Sequence, residues 1–512
     1  MMTSLKRGSW LCEMALIGAL ILVLAGDTAL TSGQDPADVD PFADTFDDDP
    51  VSVEQGAVEG SGDPAEPVQK TPEEILAEAQ AHMENGEWSD AVQKFSAILS
   101  KNPRYVPGYL LRGQALAELG EYELAIQSLS QAVIYGSEYP QVFVARGKIY
   151  LEVQQYREAA DDFEQAVQMT PASAELQFLR GKSQARLAQE LGSTGGLTAA
   201  NLFSTGLKAL DRAIEHDGEF AEAYAERANV QVSMGEIDKA VEDLEKAVDL
   251  DPENEQYLAR VAIFYNRRAE TEDNGYEPDE EQIESDFRKA ISAYEDYLNI
   301  AEEMGLLSPD AEPPEDPEDI LPMQALLGLA SAQINLGDKL TDSSLFRDAI
   351  DTCNQVVEIE PRSPTAYHQR GVAQRMLEDL PMALESFSEA LKLSPDFGEA
   401  RLRRGIVWYH MGEYDLALGE FERAAESRDG RGQFWAGAAL AQQGDFVEAI
   451  SRYSNAIREN PLYEPAFNSR GLAYMRLGLF EQAAKDFRTL VRMNLKNSTA
   501  QQRQDLAKRH IR

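Results

Sequence analysis

Cysteine is almost missing from this 512-residue chain: the two copies, Cys12 and Cys353, lie far apart, and Cys12 sits inside an apolar N-terminal stretch. That excludes a disulfide framework and any all-cysteine metal site, and it leaves Cys353 alone if the N-terminus is removed. Histidine is also scarce. His82, His216, His368, His410 and His510 are scattered, with no HExxH and no pair at i, i+4 spacing, so the pattern of a zinc hydrolase is absent. No GxxxxGKS or GxxxxGKT phosphate loop and no GxSxG nucleophile elbow occurs; the GSTGG at 192–196 follows a helical stretch, lacks the lysine and reads as a loop. No catalytic set and no cofactor motif emerges. Positive charge is the third shortage. Against 89 Asp and Glu stand 47 Lys and Arg, a formal net charge of −42 and a pI near 4.4. Such a surface repels nucleic acid and anionic lipid, and it favours solubility and basic partners.

Long apolar runs are short as well. Lys6 and Arg7 precede an apolar core at 15–25 (ALIGALILVLA), bounded by Glu13 and Asp27. A membrane span needs about 20 apolar residues, so residues 1–33 read first as a cleaved secretory signal. A retained anchor and a buried helix of a cytosolic protein are the alternatives. The first two place the body of the chain outside the cytoplasm, periplasmic, extracytoplasmic or anchored at its N-terminus, because the positive end stays in. Contact with a membrane is expected only through this segment, if uncleaved. Residues 34–71 are rich in Asp, Glu, Pro and Gly and almost free of cations. They cannot bury enough apolar surface to offset ordering, and their charges extend them, so they read as a disordered acidic linker.

Order is expected from Thr71-Pro72-Glu73-Glu74, an N-cap, a first-turn proline and a capping-box acid. From there the pattern is helical and no strand-like alternation is sustained. It also repeats. Gly86 and Gly120 are 34 residues apart, as are Gly444 and Gly478, and Gly235 and Gly412 stand in the same kind of turn. A small residue recurs 12 positions before another: Gly113–Ala125, Gly147–Ala159, Ala228–Ala240, Gly371–Ala383, Gly405–Ala417, Gly437–Ala449 and Gly471–Ala483. Such pairs are expected to face each other where two helices cross, with the large residue four positions later, such as Phe163 or Phe387, filling the space between repeats. The pattern resembles the tetratricopeptide-repeat (TPR) family, over residues 71–495. The resemblance implies an all-α solenoid of 34-residue helix–turn–helix units, stacked in a right-handed superhelix, whose first helices line a concave groove.

The expected organisation is about six repeats in 72–302, a Pro/acidic linker at 303–321, about five repeats in 322–495 and a C-terminal capping helix in 496–512. Insertions near 191–198, 271–284 and 337–344 make the centre irregular, either as a hinge or as longer helices with harmless loops. An arginine precedes the small first-helix residue at Arg112, Arg146, Arg180, Arg227, Arg370, Arg404 and Arg470. Four of them have an acid at one constant interval down the chain: Arg146–Asp162, Arg227–Asp243, Arg404–Glu420 and Arg470–Asp486. That interval parallels the spacing of the small pairs and predicts ion pairs at the helix crossing. Arg112 and Arg370 face Ser128 and Ser386 instead and stand out as candidates for free ligand contacts. Groove candidates implied by the resemblance are Tyr109, Gln114, Lys148, Leu151, Tyr224, Asn229, Tyr367, His368, Arg375, Tyr409, Asn468 and Met475, with the tyrosines 109, 224 and 367 alternatively packing between repeats. The Lys, Arg and Asn clamp by which some family members grip chaperone C-termini cannot be assembled. The expected function is a noncatalytic protein-interaction scaffold of the cell envelope that binds a peptide or partner helix; the alternative is a substrate-recruiting subunit of a multi-chain enzyme complex.

Overall fold

The computed structural model describes residues 72–273, 279–308, 320–427, 430–493 and 498–511. The N-terminal signal or anchor, the acidic linker and the Thr71 cap lie outside the described residues, as do 274–278 of the second insertion and 309–319 of the Pro/acidic stretch. Among the described residues there are 23 α-helices, two short 3-10 segments and no strand.

The helices fall into two compact units. The first, up to Gly218, pairs α1 (Pro72–Glu84) with α2 (Trp88–Lys101), α3 (Val106–Glu118) with α4 (Tyr122–Tyr135), α5 (Pro140–Glu152) with α6 (Tyr156–Met169), and α7 (Ala174–Leu191) with α8 (Gly196–His216). The second, from Glu219, holds seven further pairs: α9 (Ala221–Ser233) and α10 (Ile237–Leu250), α11 (Glu255–Asp273) and α12 (Glu280–Glu303), α13 (Pro322–Leu340) and α14 (Ser343–Ile359), α15 (Pro364–Met376) and α16 (Leu380–Leu393), α17 (Gly398–His410) and α18 (Tyr414–Ala424), α19 (Arg431–Gln443) and α20 (Phe446–Glu459), and α21 (Glu464–Arg476) and α22 (Phe480–Met493). A last helix, α23 (Ser498–Ile511), packs on α22. The eleven pairs are the all-α helix–turn–helix repeats expected from the sequence, in number and kind. Residues 303–308 and 320–321, the described ends of the expected Pro/acidic linker, fall inside the second unit, where one apolar cluster includes residues from Ala221 to Ala366.

Local chemistry explains where the helices start and stop. Proline occupies the first turn of α3, α5, α13, α15 and α21, where a missing N–H leaves no bond unmade. Ser173 caps α7, its hydroxyl accepting from Leu176 N at 3.3 Å. The stop is a left-handed residue in the turn. Gly120 has φ +75°; its N–H reaches Ala117 O at 2.9 Å while Glu121 N–H reaches Leu116 O at 2.9 Å, the paired bonds of a Schellman end.

The insertions lengthen helices. α7 and α8 run to 18 and 21 residues around the 3-10 segment Gly192–Gly195, α11 and α12 to 19 and 24, and α13 to 19. The longer pair α11–α12 is tied to the residue two before α13: Tyr297 donates to Ile320 O at 2.6 Å, and Ile320 N–H donates to Gln256 Oε1 at 2.7 Å.

One packing expectation needs correction. A Cβ built on Gly147 would meet the Phe163 ring at 2.8 Å, and on Gly371, Gly405 and Gly471 it would meet Phe387, Phe421 and Phe487 at 2.8, 2.6 and 2.7 Å. Each glycine therefore makes room for the aromatic ring on the second helix of its own repeat. The alanines expected in that place (Ala159, Ala383, Ala417 and Ala483) are fully buried nearby, but a ring edge, not a second small side chain, fills the slot. A ring reaches across the crossing where a methyl group does not.

Candidate functional site on the first helices

Successive first helices touch one another (α3 with α5, α13 with α15, α15 with α17, α17 with α19) as well as their own second helices. They form an inner layer within each unit, and its side chains divide into a buried seam and an open face.

The seam is a ladder of arginines. Arg146 forks onto Asp162 with both bonds at 2.8 Å, Arg227 onto Asp243 at 2.7 and 2.6 Å, and Arg470 onto Asp486 at 2.9 and 2.8 Å; Arg404 reaches Glu420 at 2.7 Å. The four expected pairs are present. The same guanidinium also reaches back by an equal interval, to the second helix of the preceding repeat: Arg146 to Ser130 Oγ at 3.1 Å, Arg470 to Ser454 Oγ at 3.0 Å, Arg404 to Ser388 Oγ at 3.3 Å and Arg180 to Glu164 at 3.0 Å. Each of these arginines therefore reaches the repeat before its own. A member the sequence reading missed is Arg268, which forks onto Asp286 at 2.7 Å; the longer first helix α11 widens the interval between the partners. The carboxylates are the buried partners: Asp162 is 6% exposed against 18% for Arg146. The Asp162 bond holds the Arg146 guanidinium above its ordinary pKa.

Arg112 and Arg370 belong to this ladder and are not free ligand contacts. Arg112 bonds Ser128 at 3.1 Å and Ser96 at 3.4 Å, and Arg370 bonds Ser386 at 3.1 Å and Asn354 at 3.0 Å. Their charge is met by neutral oxygens and by the rings of Tyr109 and Tyr367 beneath them, at 5.4 and 4.9 Å. Tyr224 serves Arg227 in the same way at 5.5 Å. These three tyrosines pack along the seam, the second of the two readings open to them.

The open face carries two groupings. In the first unit a cleft of about 240 Å3 is lined by Leu110 and Gln114 of α3, by Pro140, Gln141, Val144, Ala145 and Lys148 of α5, and by Thr170, Ser173, Glu175 and Leu176 at the start of α7. Lys148 pairs with Glu175 at 3.1 Å across it. The side-chain oxygens of Gln114 and Gln141 are buried and accept no hydrogen bond. Gln114 and Lys148 were expected here. Gln141 and Val144 were not, although they stand two turns and one turn before Lys148 and so share its helix face.

In the second unit His368 and Arg375 of α15, Glu399, Arg403, Tyr409 and His410 of α17, and Arg431 and Trp435 of α19 come together. Glu399 is shared by Arg403 and Arg431, each at 2.9 Å. Burial works to raise the Glu399 pKa, but the two arginines outweigh it and hold the carboxyl below its ordinary value. Burial, with Arg403 adding to it, lowers Arg375, and Asp338 opposes the shift. Burial holds the His368 imidazole at about 4, so the ring is neutral at neutral pH; burial and Arg375 lower His410 as well. Arg375 Nε and His368 Nε2 are buried without a hydrogen-bond partner. Tyr409 meets Trp435, Tyr414 and His410 edge-on at 5.4, 5.5 and 5.7 Å, and its hydroxyl accepts from Gln442 at 3.0 Å.

The remaining expected residues are occupied. Asn229 donates to Glu226 at 3.3 Å, Asn468 accepts from Arg503 of α23, and Met475 packs into the apolar cluster around Phe467 and Phe487. Cys353 is free and buried, and burial pushes its thiol up to about 12. Among the described residues one set of three side chains with metal-ligand character converges, His82, Glu87 and Asp90; it is exposed, and His82 is bound to Glu87 at 2.5 Å at the α1–α2 turn. No described helix is long and apolar enough to cross a membrane.

Profiles described as tetratricopeptide repeat match residues 76–141, 144–190, 221–254, 368–432, 411–464 and 464–497, together more than half of the chain. The chain is similar to the Hsp70-Hsp90 organizing protein of Triticum aestivum, at 26% identity over 228 residues, 43% of this chain and 37% of that protein. It is similar to DnaJ homolog subfamily C member 3 of Gallus gallus, at 24% identity over 291 residues, 54% of this chain and 52% of the relative. The matches thus span about half, or less, of these curated relatives. A solved tetratricopeptide repeat protein from Parabacteroides merdae aligns at 18% identity with a TM-score of 0.41, over 56% of this chain and 98% of the other.

Proposed function

We propose that this chain, which belongs to the tetratricopeptide-repeat family, is a noncatalytic protein-interaction scaffold of the cell envelope that holds an extended peptide or a partner helix against its first-helix layer. The observation that carries this reading is the cleft between α3, α5 and α7. It has apolar walls from Leu110, Pro140 and Val144 and two carboxamide oxygens, on Gln114 and Gln141, without donors. A buried acceptor left unmade costs about 1–3 kcal/mol, and a peptide N–H laid along the cleft offsets it. The names of the matched relatives, organizing proteins for Hsp70 and Hsp90 among them, agree with a protein partner. The noncatalytic part rests on where the ionisable groups go: the arginine ladder consumes the most regular of them in pairing repeats. The envelope part rests on Lys6 and Arg7 ahead of the apolar 15–25 run, and N-terminal sequencing after cell fractionation tests it.

The binding test selects short peptides from a random library on the purified full chain and measures their affinities by calorimetry. The expected result is a selected peptide whose affinity falls about tenfold or more in Gln114→Leu/Gln141→Leu, while thermal stability is unchanged or higher, because both orphan acceptors are gone. A selected peptide that binds this variant as tightly as the wild type overturns the cleft reading. Capture of a catalytic chain whose activity depends on the scaffold supports the recruiting-subunit alternative.

A further inference from the structure

We propose that the turn between α1 and α2 is a binding site for a divalent transition-metal cation of the zinc type, held by His82, Glu87 and Asp90. The site lies apart from the cleft between α3, α5 and α7, and it stands whether or not that cleft takes a peptide.

The first observation is convergence. His82 is in the last turn of α1, Glu87 is the N-cap of α2 and Asp90 is in the first turn of α2. One ligand atom from each lies within 4.8 Å of the other two, and His82 Nδ1 stands 2.5 Å from Glu87 Oε2. The backbone fixes the pair: Gly86 takes φ +76°, and Glu87 N–H donates to His82 O at 2.8 Å. A zinc-type ion with bonds of about 2.0–2.2 Å sets its ligand atoms about 3.4 Å apart. Both carboxylates are exposed and reach that spacing by side-chain rotation.

The second observation is that the carboxylates serve nothing else. Glu87 makes no side-chain bond to the end of α2 that it caps. Lys94, one turn on from Asp90, is occupied by Glu78 at 2.9 Å. Among the described residues neither Glu87 nor Asp90 has a Lys or Arg partner. The net charge of −42 raises the local concentration of cations around such a group.

The third observation is that this repeat departs from the others at these positions. Four residues before the left-handed residue of the turn, Leu116, Gln231, Gln374 and Leu440 are buried. His82 holds that place in the first described repeat and is half-exposed. Four residues after the left-handed residue, Asp90 stands where Leu124, Met382 and Leu416 stand elsewhere. The ladder arginine is missing too. Its position is Glu78, which takes Lys94 at the same interval with the signs reversed, and the two side chains are 31% and 37% exposed. A cation bridging α1 and α2 adds the tie between first and second helix that a buried arginine supplies in later repeats.

The ligand set selects the ion. Imidazole suits zinc, cobalt and nickel, whereas calcium and magnesium take oxygen ligands. Three protein ligands leave a position for water, so the ion exchanges with solvent.

The test uses the full chain, stripped of metal with a chelator and dialysed. Zinc, cobalt, calcium and magnesium chlorides are titrated separately by calorimetry, and amide hydrogen exchange locates the effect. Zinc and cobalt are expected to slow exchange within 72–101, and calcium and magnesium to bind there about tenfold more weakly or worse. His82→Gln and Asp90→Asn should each lose about tenfold or more in zinc affinity. His216→Gln, which removes an exposed histidine at the end of α8, should change nothing. The Asp90 side chain makes no hydrogen bond among the described residues, so Asp90→Asn should melt close to the wild type without metal, and its lost affinity then reports the ligand itself. Wild-type zinc affinity in His82→Gln or Asp90→Asn, magnesium bound as tightly as zinc, protection confined to residues outside 72–101, or no heat on adding zinc each overturns the proposal. Each of these failures leaves the cleft reading intact, because library peptides and the Gln114→Leu/Gln141→Leu variant decide that one.

Discussion

Single residues set the turns of this protein, and not all of them are the best choice. The position that ends a first helix needs a left-handed backbone, and Gly86, Gly120, Gly235, Gly412 and Gly478 supply it with φ between +73° and +83°. Gln154 and Glu378 stand at the same place with φ +59° and +61°. A side chain there costs about 1–2 kcal/mol, partly offset by the extra chain entropy glycine would lose. Gln154→Gly and Glu378→Gly should therefore each raise stability by up to about 1 kcal/mol in urea titrations, with an unchanged slope. A loss of stability in either would mean that the side chain contributes a contact that outweighs its backbone strain.

At the scale of the element, the arginine ladder is the device that turns a helix pair into a stack. Arg146 lies on α5, takes Asp162 from α6 of its own repeat and Ser130 from α4 of the preceding one. Because Asp162 is nearly buried, removing the arginine strands a charge. Arg146→Ala should cost about 3 kcal/mol, at the low end for a broken buried pair. In a double-mutant cycle with Asp162→Ala the coupling should be about 1–3 kcal/mol. Strict additivity would show that the two side chains are neighbours without being partners. The four acid pairs were legible because their constant interval parallels the helix crossing. The backward bonds were not, since serine at 130, 388 and 454 carries no charge to mark it. Nor was Arg268, whose partner Asp286 moved out of that interval when α11 grew.

On the scale of the whole molecule, the charge and the closing helix matter most. The net charge of −42 repels polyanions at a distance and favours solubility. α23 covers the last repeat: Ala507 is fully buried, Gln504 nearly so, and Arg503 holds Asn468. A repeat stack needs a terminal element with a polar outer side. Deleting 498–512 should uncover the Phe467, Phe487 and Leu490 cluster. At about 1.5–3 kcal/mol per large side chain left exposed, the melting temperature should fall and light scattering should reveal concentration-dependent association. A truncated chain that stays monomeric with an unchanged melt would make α23 an ornament of the last repeat.

What the sequence determined by itself is the helical class, the repeat period and the acid partners of four arginines. Periodicity is a property of the chain, and a rigid helix–turn–helix unit converts spacing into position. The tertiary structure alone decided what depends on reach and on the neighbouring repeat. It put Phe163 rather than Ala159 into the slot left by Gly147, spent Arg112 and Arg370 on the seam and gave Asn468 to α23. It also gathered Gln114, Gln141 and Lys148 into one cleft, and His368, Arg375, Arg403 and Arg431 onto one face. Gln114 and Lys148 stand one repeat period apart, but the period brings side chains near one another without choosing their partners, because a long flexible side chain does that only after the backbones have packed.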